Sequence, residues 1–154
     1  MLAVDDSEVV RLKLRRLLDR AEGIEPVGEA ADGETGLALA ARLRPDVVIM
    51  DLKMPSMSGI EATWQLGTAS PDSQVLVLTV SEGVDDLTGA LIAGATGYVV
   101  KGASDEELLA AVHRVAEGRR VLPPEVAGSL IERVDAGPKP LRPAPAYGRA
   151  AGSA

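Results

Sequence analysis

The sequence contains no cysteine and a single histidine among its 154 residues. Without cysteine, the chain has no disulfide, no thiol nucleophile and no cysteine-ligated zinc site. His113 alone excludes a histidine-rich metal site and disfavours a Ser-His-Asp triad. No apolar run approaches the ~20 residues that span a bilayer, and the N-terminus lacks the basic and apolar segments of a signal peptide. We therefore expect a cytoplasmic protein that does not bind membranes.

Basic residues are outnumbered as well. The chain has 16 Lys and Arg against 23 Asp and Glu, which gives a net charge of −7. Such a balance argues against a surface built mainly for phosphate backbones or anionic membranes. The sequence also has no G-x-G dinucleotide fingerprint and no G-x-x-x-x-G-K-[ST] loop, which disfavours dinucleotide-binding and P-loop proteins.

The composition divides the chain into three parts. Residues 137–154 have 13 Gly, Ala, Pro or Ser at 18 positions, too little apolar surface to offset the entropy of ordering, so we expect a disordered tail. Residues 119–136 are interpreted as a linker with one short helix, from Pro124 to Val134. Residues 1–118 form the predicted folded domain.

Short aliphatic runs alternate with segments of helical period in the predicted domain. Strands are predicted at Leu2–Val4, Ile24–Ala30, Val47–Met50, Val75–Val80 and Tyr98–Val100. Helices are predicted over Ser7–Ala21, from the cap Asp32 to Leu43, over Gly59–Gly67 and Asp85–Ala93, and from the Ser104–Glu107 capping box to Gly118. This alternation predicts an α/β fold with a parallel sheet covered on both faces. The first strand is short, because central strands usually have ~5–6 residues.

Polar residues follow or end four of these strands. Asp5 and Asp6 follow the first strand, and Asp51 follows the third. Thr79 lies near the end of the fourth, and Lys101 follows the fifth. The carboxyl ends of the strands form the ligand-binding crevice of an open α/β sheet. If the first and third strands are neighbours, the three aspartates converge.

Three carboxylates in a small space repel one another and must take up protons or bind a cation. Oxygen ligands without His or Cys favour Mg²⁺, which keeps waters and combines one or two carboxylates with phosphate oxygens. A lysine and a threonine hydroxyl complete a set of groups that suits a phosphoryl group. A carboxylate can itself be the nucleophile, which gives an aspartyl phosphate.

Four spaced motifs resemble those of a response-regulator receiver domain over about residues 1–118. They are Val4–Asp6 (VDD), Val47–Gly59 (VVIMDLKMPSMSG), Val77–Ser81 (VLTVS) and Gly97–Gly102 (GYVVKG). The stretch Gly118–Val134 is similar to the linker of regulators that carry a helix-turn-helix of the LuxR/NarL (NarL/FixJ) type. After Val134, nothing has the periodicity of that DNA-binding domain. The resemblance implies a flavodoxin-like receiver fold with strand order 2-1-3-4-5.

Matched position by position, the resemblance assigns the metal and acceptor residues. Asp51 would be the phospho-acceptor, and it would share Mg²⁺ with Asp6, a direct ligand. Asp5 would act on the metal largely through water, and the backbone carbonyl of Lys53 would be a further ligand.

The remaining roles concern the phosphoryl group and the switch. Lys101 would contact the phosphoryl group, Thr79 would be the switch hydroxyl, and Tyr98 would change rotamer with it. Gly102 departs from the family pattern, because many receivers have a proline with a cis peptide after the lysine.

The resemblance also implies partners. The phosphoryl donor would be a sensor histidine kinase or a small molecule such as acetyl phosphate. Phosphorylation would switch a protein-binding surface, and a homodimer would use the fourth helix, fifth strand and fifth helix. The chain would be no enzyme apart from its own phosphorylation and dephosphorylation.

Three other functions stay open on the sequence. A truncated or degenerate DNA-binding transcription regulator is favoured by the linker but disfavoured by the acidic domain, so DNA binding is not expected of this chain alone. A stand-alone phosphotransfer sink is compatible with the acid set, which argues against a pseudo-receiver. An Mg²⁺-dependent enzyme for small phosphates lacks evident substrate-pocket residues.

Overall fold

The computed structural model of the protein describes residues 1–80 and 83–122. Within them lies a five-stranded, fully parallel sheet in the order β2-β1-β3-β4-β5. The strands are β1 (Leu2–Val4), β2 (Gly28–Ala30), β3 (Val47–Met50), β4 (Gln74–Thr79) and β5 (Gly97–Val100). The predicted strand order is confirmed, and so is the adjacency of the first and third strands.

The short first strand is held at both of its edges. Leu2 is in register with Gly28 of β2 on one side and with Val48 of β3 on the other. Hydrogen bonds continue beyond its ends, because the Asp5 N–H donates to the Ala30 carbonyl at 3.0 Å. Three residues therefore suffice for β1, because it forms hydrogen bonds with a neighbouring strand along both of its edges.

The second strand is shorter than predicted. Pairing begins only at Gly28, whereas the sequence pattern placed the strand start at Ile24. Pro26 has no N–H for a ladder hydrogen bond. The two residues beside it make single contacts instead: the N-terminal ammonium of Met1 donates to the Glu25 carbonyl, and the Val27 N–H donates to the Met1 carbonyl.

Five helices follow the strands in the described part of the chain. They are α1 (Glu8–Asp19), α2 (Gly33–Leu43), α3 (Gly59–Ala69), α4 (Val84–Ala93) and α5 (Asp105–Ala116). Side-chain oxygens of Ser7, Asp32, Ser58 and Ser104 accept N-cap hydrogen bonds on four of them. The predicted capping box of α5 is confirmed, because Glu107 also accepts from the Ser104 N–H at 2.9 Å. The N-cap of α4 is instead Gly83, which has no side chain to accept such a bond.

The helices cover both faces of the sheet, as predicted. One core cluster lies under α2, α3 and α4, and the other lies under α1 and α5. Successive side chains of β1 alternate between them, with Leu2 and Val4 in the first and Ala3 in the second. Near-continuous apolar strands are needed because each residue faces one core or the other.

The chain after α5 returns to the sheet. Val121 forms a parallel bridge with Gly97, and its carbonyl accepts a hydrogen bond from the Tyr98 N–H at 2.8 Å. The start of the predicted linker therefore lies beside β5. The predicted helix from Pro124 to Val134, the predicted tail 137–154 and Ser81 lie outside the described residues.

No helix among the described residues combines the length and apolar character needed to cross a membrane.

Gly59 leaves less room for a side chain than any other described glycine. Its N–H donates to the Leu52 carbonyl at 2.9 Å, and an added Cβ would collide with the Asp51 carbonyl and lie 2.7 Å from the Leu52 Cα. Gly59→Ala should lower the free energy of unfolding by more than ~3 kcal/mol, since backbone cannot move aside cheaply. Urea denaturation measures the change.

Gly89→Ala is the matched control for this substitution. Its added Cβ would meet only the flexible end of Ile60, at 3.1 Å. An Ala in the middle of α4 gains up to ~1 kcal/mol of helix propensity. Equal midpoints for the two variants would contradict the role given to Gly59.

The capping box of α5 gives a second stability prediction. Ser104→Ala removes the oxygen that accepts from the Glu107 N–H at 3.1 Å, so stability should fall by ~0.5–2 kcal/mol. Ser104→Gly should lower stability by only a few tenths of a kcal/mol, because Gly is itself a tolerated N-cap. Thermal unfolding of both variants tests the order, which a larger loss for the Gly variant would contradict.

Candidate functional site

The predicted site residues meet at the carboxyl edge of the sheet. Asp5 follows β1, Asp51 follows β3, Thr79 ends β4 and Lys101 follows β5. The strand order reverses between β1 and β3, because the chain goes from β1 outward to β2 and then returns to the other side of β1. Ligands of open α/β sheets bind in the crevice at such a reversal.

Three carboxylates converge at this point. One oxygen from each of Asp5, Asp6 and Asp51 lies within 4.8 Å of the others. Asp5 and Asp51 are buried, with 2% and 3% of their surface exposed, whereas Asp6 is exposed. The predicted convergence is confirmed. The site therefore has two enclosed acids and a third that opens to solvent.

Lys101 joins the two buried acids. Its Nζ lies 2.9 Å from Asp5 Oδ2 and 3.4 Å from Asp51 Oδ2. The backbone aims it there, because the Lys101 N–H donates to the Thr79 carbonyl at 2.9 Å and extends the β4–β5 pairing by one residue. The peptide bonds of the described residues, including the one to Gly102, are all trans.

The buried charges shift one another's protonation. Burial raises the pKa of Asp51 above its usual value, the Asp5 charge raises it further, and Lys101 offsets only part of the rise. For Lys101, burial lowers the pKa, but the hydrogen bond and attraction of Asp5, with those of Asp51, outweigh it and leave the pKa raised. One lysine thus neutralises the pair incompletely, and the site still favours a further cation.

Asp5 is held in place from two sides. Its Oδ1 accepts a hydrogen bond from the Ser7 N–H at 2.9 Å. Its backbone carbonyl accepts one from Arg11 Nη1 at 2.7 Å. Arg11 is in turn 3.4 Å from Glu29, which also pairs with Arg15. These contacts fix both the side chain and the backbone of the first acid.

Asp51 is held by the turns that follow it. Its N–H donates to the Val4 carbonyl at 3.0 Å, which ties it to β1. The Lys53 backbone N–H favours the ionised form of the Asp51 carboxyl and offsets part of the rise in its pKa. The close approach of Gly59 then fixes the Asp51 carbonyl from the other side. The backbone and the carboxylate of Asp51 are therefore held in a defined orientation.

The two predicted switch residues are enclosed. Thr79 is fully buried, and Tyr98 is 2% exposed and belongs to the cluster under α2, α3 and α4. β4 and β5 place them on paired strands, with Thr79 in register with Val100 and Tyr98 in register with Val77. A change of rotamer by Tyr98 stays a prediction.

The Lys53 side chain does not join the acid cluster. Its Nζ lies 3.3 Å from Asp86 Oδ2, in the first turn of α4. The role predicted for its backbone carbonyl as a metal ligand stays a prediction.

Two parts of the site were missed by sequence reasoning. The contact of Arg11 with the Asp5 carbonyl joins a helix side chain to strand backbone, so it follows no sequence period. The Lys53–Asp86 pair joins residues far apart in the chain, on elements whose relative position only the fold sets. The charge of each residue was visible, but its partner was not.

The donor set fits Mg²⁺. All three side chains offer oxygen, and the cluster contains neither His nor Cys. Mg²⁺ binds through one or two carboxylates and keeps several waters, and the exposed Asp6 leaves room for such waters. Asp5, Asp6 and Asp51 would hold the ion.

Comparisons with known proteins agree with this geometry. The family model described as the response regulator receiver domain matches residues 1–113. The chain is 45% identical over 130 residues to response regulator GacA of Pseudomonas aeruginosa, covering 84% of this chain and 61% of that protein. It is 39% identical over 134 residues to the nitrate/nitrite response regulator protein NarL of Escherichia coli K12, covering 84% and 62%. The chain thus spans about three-fifths of these relatives' length.

A solved structure shows the same architecture. The two-component response regulator of the LuxR family from Aurantimonas sp. SI85-9A1 superposes with a TM-score of 0.78 at 36% identity, covering 86% of this chain and 94% of that one. The five-stranded order 2-1-3-4-5 is thereby the flavodoxin-like receiver fold. With its acid cluster at the carboxyl edge and the family match over residues 1–113, the chain belongs to the receiver domain family of two-component response regulators.

Proposed function

We propose that Asp51 accepts a phosphoryl group in an Mg²⁺-dependent reaction, and that the phosphorylated domain changes a protein-binding surface. The observation that carries this proposal is the grouping of three carboxylate oxygens within 4.8 Å beside a lysine bonded to two of them. Such a charge arrangement is costly to fold and suits a ligand that brings both a metal ion and an anion.

The proposed step is a phosphoryl transfer between oxygen or nitrogen and the Asp51 carboxylate. A carboxylate oxygen of Asp51 forms a bond to phosphorus as the bond from phosphorus to the donor breaks, and the leaving group keeps that electron pair. A leaving imidazole takes up a proton from water. Mg²⁺, when bound, neutralises charge on the carboxylates and on the phosphoryl oxygens.

The residues around Asp51 have separate tasks in this proposal. Lys101 shifts its ammonium from the two acids toward the phosphoryl oxygens and balances their charge. The Thr79 hydroxyl donates a hydrogen bond to one of those oxygens. Asp5 and Asp6 hold the metal, with the Lys53 carbonyl as a further ligand. Water later hydrolyses the acyl phosphate, so the only turnover is of the protein's own modification.

The donor is proposed to be a phosphohistidine on a sensor histidine kinase, or a small acyl phosphate. Neither requires a built substrate pocket, because the reacting group is a phosphoryl at the exposed side of the cluster. An enzyme that turns over other small phosphates would need such a pocket, and the sequence has no evident residues for one. A phosphotransfer sink would share this chemistry and differ only in having no output.

The output is proposed to pass through Thr79 and Tyr98 to the surface of α4, β5 and α5. Tyr98 lies in β5 and packs in the core beneath α4, so a change of its rotamer would alter the packing under that surface. A homodimer through these elements is one form of the output. Charge at Asp51 would bias which arrangement predominates.

Transcription regulation is the second candidate. One observation favours it: the solved LuxR-family neighbour and the curated relatives are response regulators, and this chain spans about three-fifths of the relatives. We propose residues 1–118 as the receiver domain, 119–136 as a linker and 137–154 as a tail of such a regulator. Sequence-specific, salt-dependent DNA binding by the purified chain would favour a direct role; its absence would leave the protein-binding role.

Phosphorylation tests the main proposal directly. Intact-protein mass after incubation with Mg²⁺ and acetyl phosphate should rise by one phosphoryl group. The Asp51→Asn variant should show no adduct, because an amide cannot act as the nucleophile, and EDTA should abolish the adduct in the wild-type protein. Asp46→Asn, at an exposed position just before β3, is the matched control and should be modified normally. An adduct that persists in Asp51→Asn would contradict the assignment.

Lys101 gives a second test of the chemistry. Lys101→Met keeps the length of the side chain but removes the cation 3.4 Å from Asp51, so the rate of adduct formation should fall about 10²-fold. The exposed Lys13→Met is the control for the loss of one positive charge. Mg²⁺ binding, followed by calorimetry, should persist in both variants. An unchanged rate for Lys101→Met would remove this residue from the reaction.

A further inference from the structure

The Lys53 side chain links the loop after the acceptor to the first turn of α4. Its Nζ lies 3.3 Å from Asp86 Oδ2, and the two side chains are 63% and 29% exposed. Lys53 begins beside the acid cluster, because it lies two residues after Asp51 in the chain. A lysine carries its ammonium on a flexible four-carbon stem, so the ammonium can move between neighbouring anions.

The start of α4 lacks a side-chain cap. Its N-cap is Gly83, without a side-chain hydrogen bond, whereas the other four described helices are all capped by side-chain oxygens. Within the described residues, the hydroxyl of Thr88 in α4 is the one buried side-chain polar atom without a hydrogen-bond partner. Val84 in the first turn is 42% exposed. The Lys53–Asp86 ion pair therefore contributes more to the order of the first turn here than it would at a capped helix.

The strengths of the competing interactions favour a change of partner by Lys53, from Asp86 to a phosphoryl group on Asp51. An exposed ion pair contributes ~0–1 kcal/mol to stability. A phosphoryl group carries a charge of about −1.5 to −2 and offers three strong acceptor oxygens, whereas the Asp86 carboxylate carries a single negative charge. A phosphoryl group on Asp51 thus offers Lys53 a better partner than Asp86.

We propose that Lys53 bonds to Asp86 in the unphosphorylated protein and transfers its ammonium to the phosphoryl group on Asp51, so that phosphorylation releases the first turn of α4. This inference rests on the proposed function, since it requires the aspartyl phosphate. It gives α4 a direct electrostatic link to the acceptor, in addition to the path through Thr79 and Tyr98. It also places a side chain over the phosphoryl group, where it hinders the approach of water.

The unphosphorylated protein provides the first test. Asp86→Asn removes the charge that holds Lys53, whereas Asp85→Asn removes the same charge from the same helical turn without breaking this pair. Hydrogen exchange of the α4 amides, measured by mass spectrometry, should quicken roughly two- to fivefold in Asp86→Asn and stay near the wild-type rate in Asp85→Asn. Equal rates in the two variants would overturn the proposed tie.

The phosphorylated protein provides the second test, as a double-mutant cycle. After acetyl phosphate is removed, the adduct should persist roughly two- to fivefold longer in Asp86→Asn, because Lys53 no longer divides its time between two anions. In a Lys53→Gln background, adding Asp86→Asn should leave the adduct lifetime unchanged. A lifetime effect of Asp86→Asn that survives in that background would contradict action through Lys53.

The two proposals fail in different ways. If the wild-type protein forms no adduct with Mg²⁺ and acetyl phosphate, the proposed function is contradicted and the exchange of partners with it. If the adduct forms but Asp86→Asn behaves like Asp85→Asn in both measurements, only the exchange of partners is overturned.

Discussion

The repulsion between the buried carboxylates of Asp5 and Asp51 is the constraint on which the rest of the site depends. Two enclosed negative charges in adjacent strands are unfavourable unless a cation lies between them. Lys101 supplies that cation, with its Nζ 2.9 Å from Asp5 and 3.4 Å from Asp51. Yet the pKa of Asp51 stays raised, by burial and then by Asp5. The folded protein thus retains a repulsion between carboxylates that a further bound cation can relieve.

The fold creates this constraint through its topology. Only a strand order that places β1 beside β3 brings the residues after these two strands together. β1 has three residues, and it is ordered because β2 and β3 pair with both of its edges. Gly59 then allows the turn after β3 to approach the Asp51 carbonyl more closely than any side chain would permit. The position of these charges therefore depends on strand pairing and on one close backbone approach.

Much of this could be predicted from the sequence, for identifiable reasons. The bounds of β1 and β3 match the aliphatic runs, because both strands are buried on both faces and polar residues end them. The convergence of Asp5, Asp6 and Asp51 follows from parallel strands ending at one edge. β2 was predicted too long, because Ile24–Val27 has strand-like composition while Pro26 lacks the N–H for pairing. The partners of Arg11 and Lys53 depend on three-dimensional packing alone, so no period in the sequence could reveal them.

The two lysines near Asp51 divide its electrostatics between an inner and an outer position. Lys101 is 19% exposed and bonded to the acids themselves, so it responds to any charge that arrives at Asp51. Lys53 is 63% exposed and bonded to Asp86 on a neighbouring helix. An anion on Asp51 competes for both cations, but of the two only Lys53 is paired with a residue of a helix. In the proposed exchange of partners, the outer lysine links a change of charge at Asp51 to the contacts of α4, beside the path proposed through Thr79 and Tyr98.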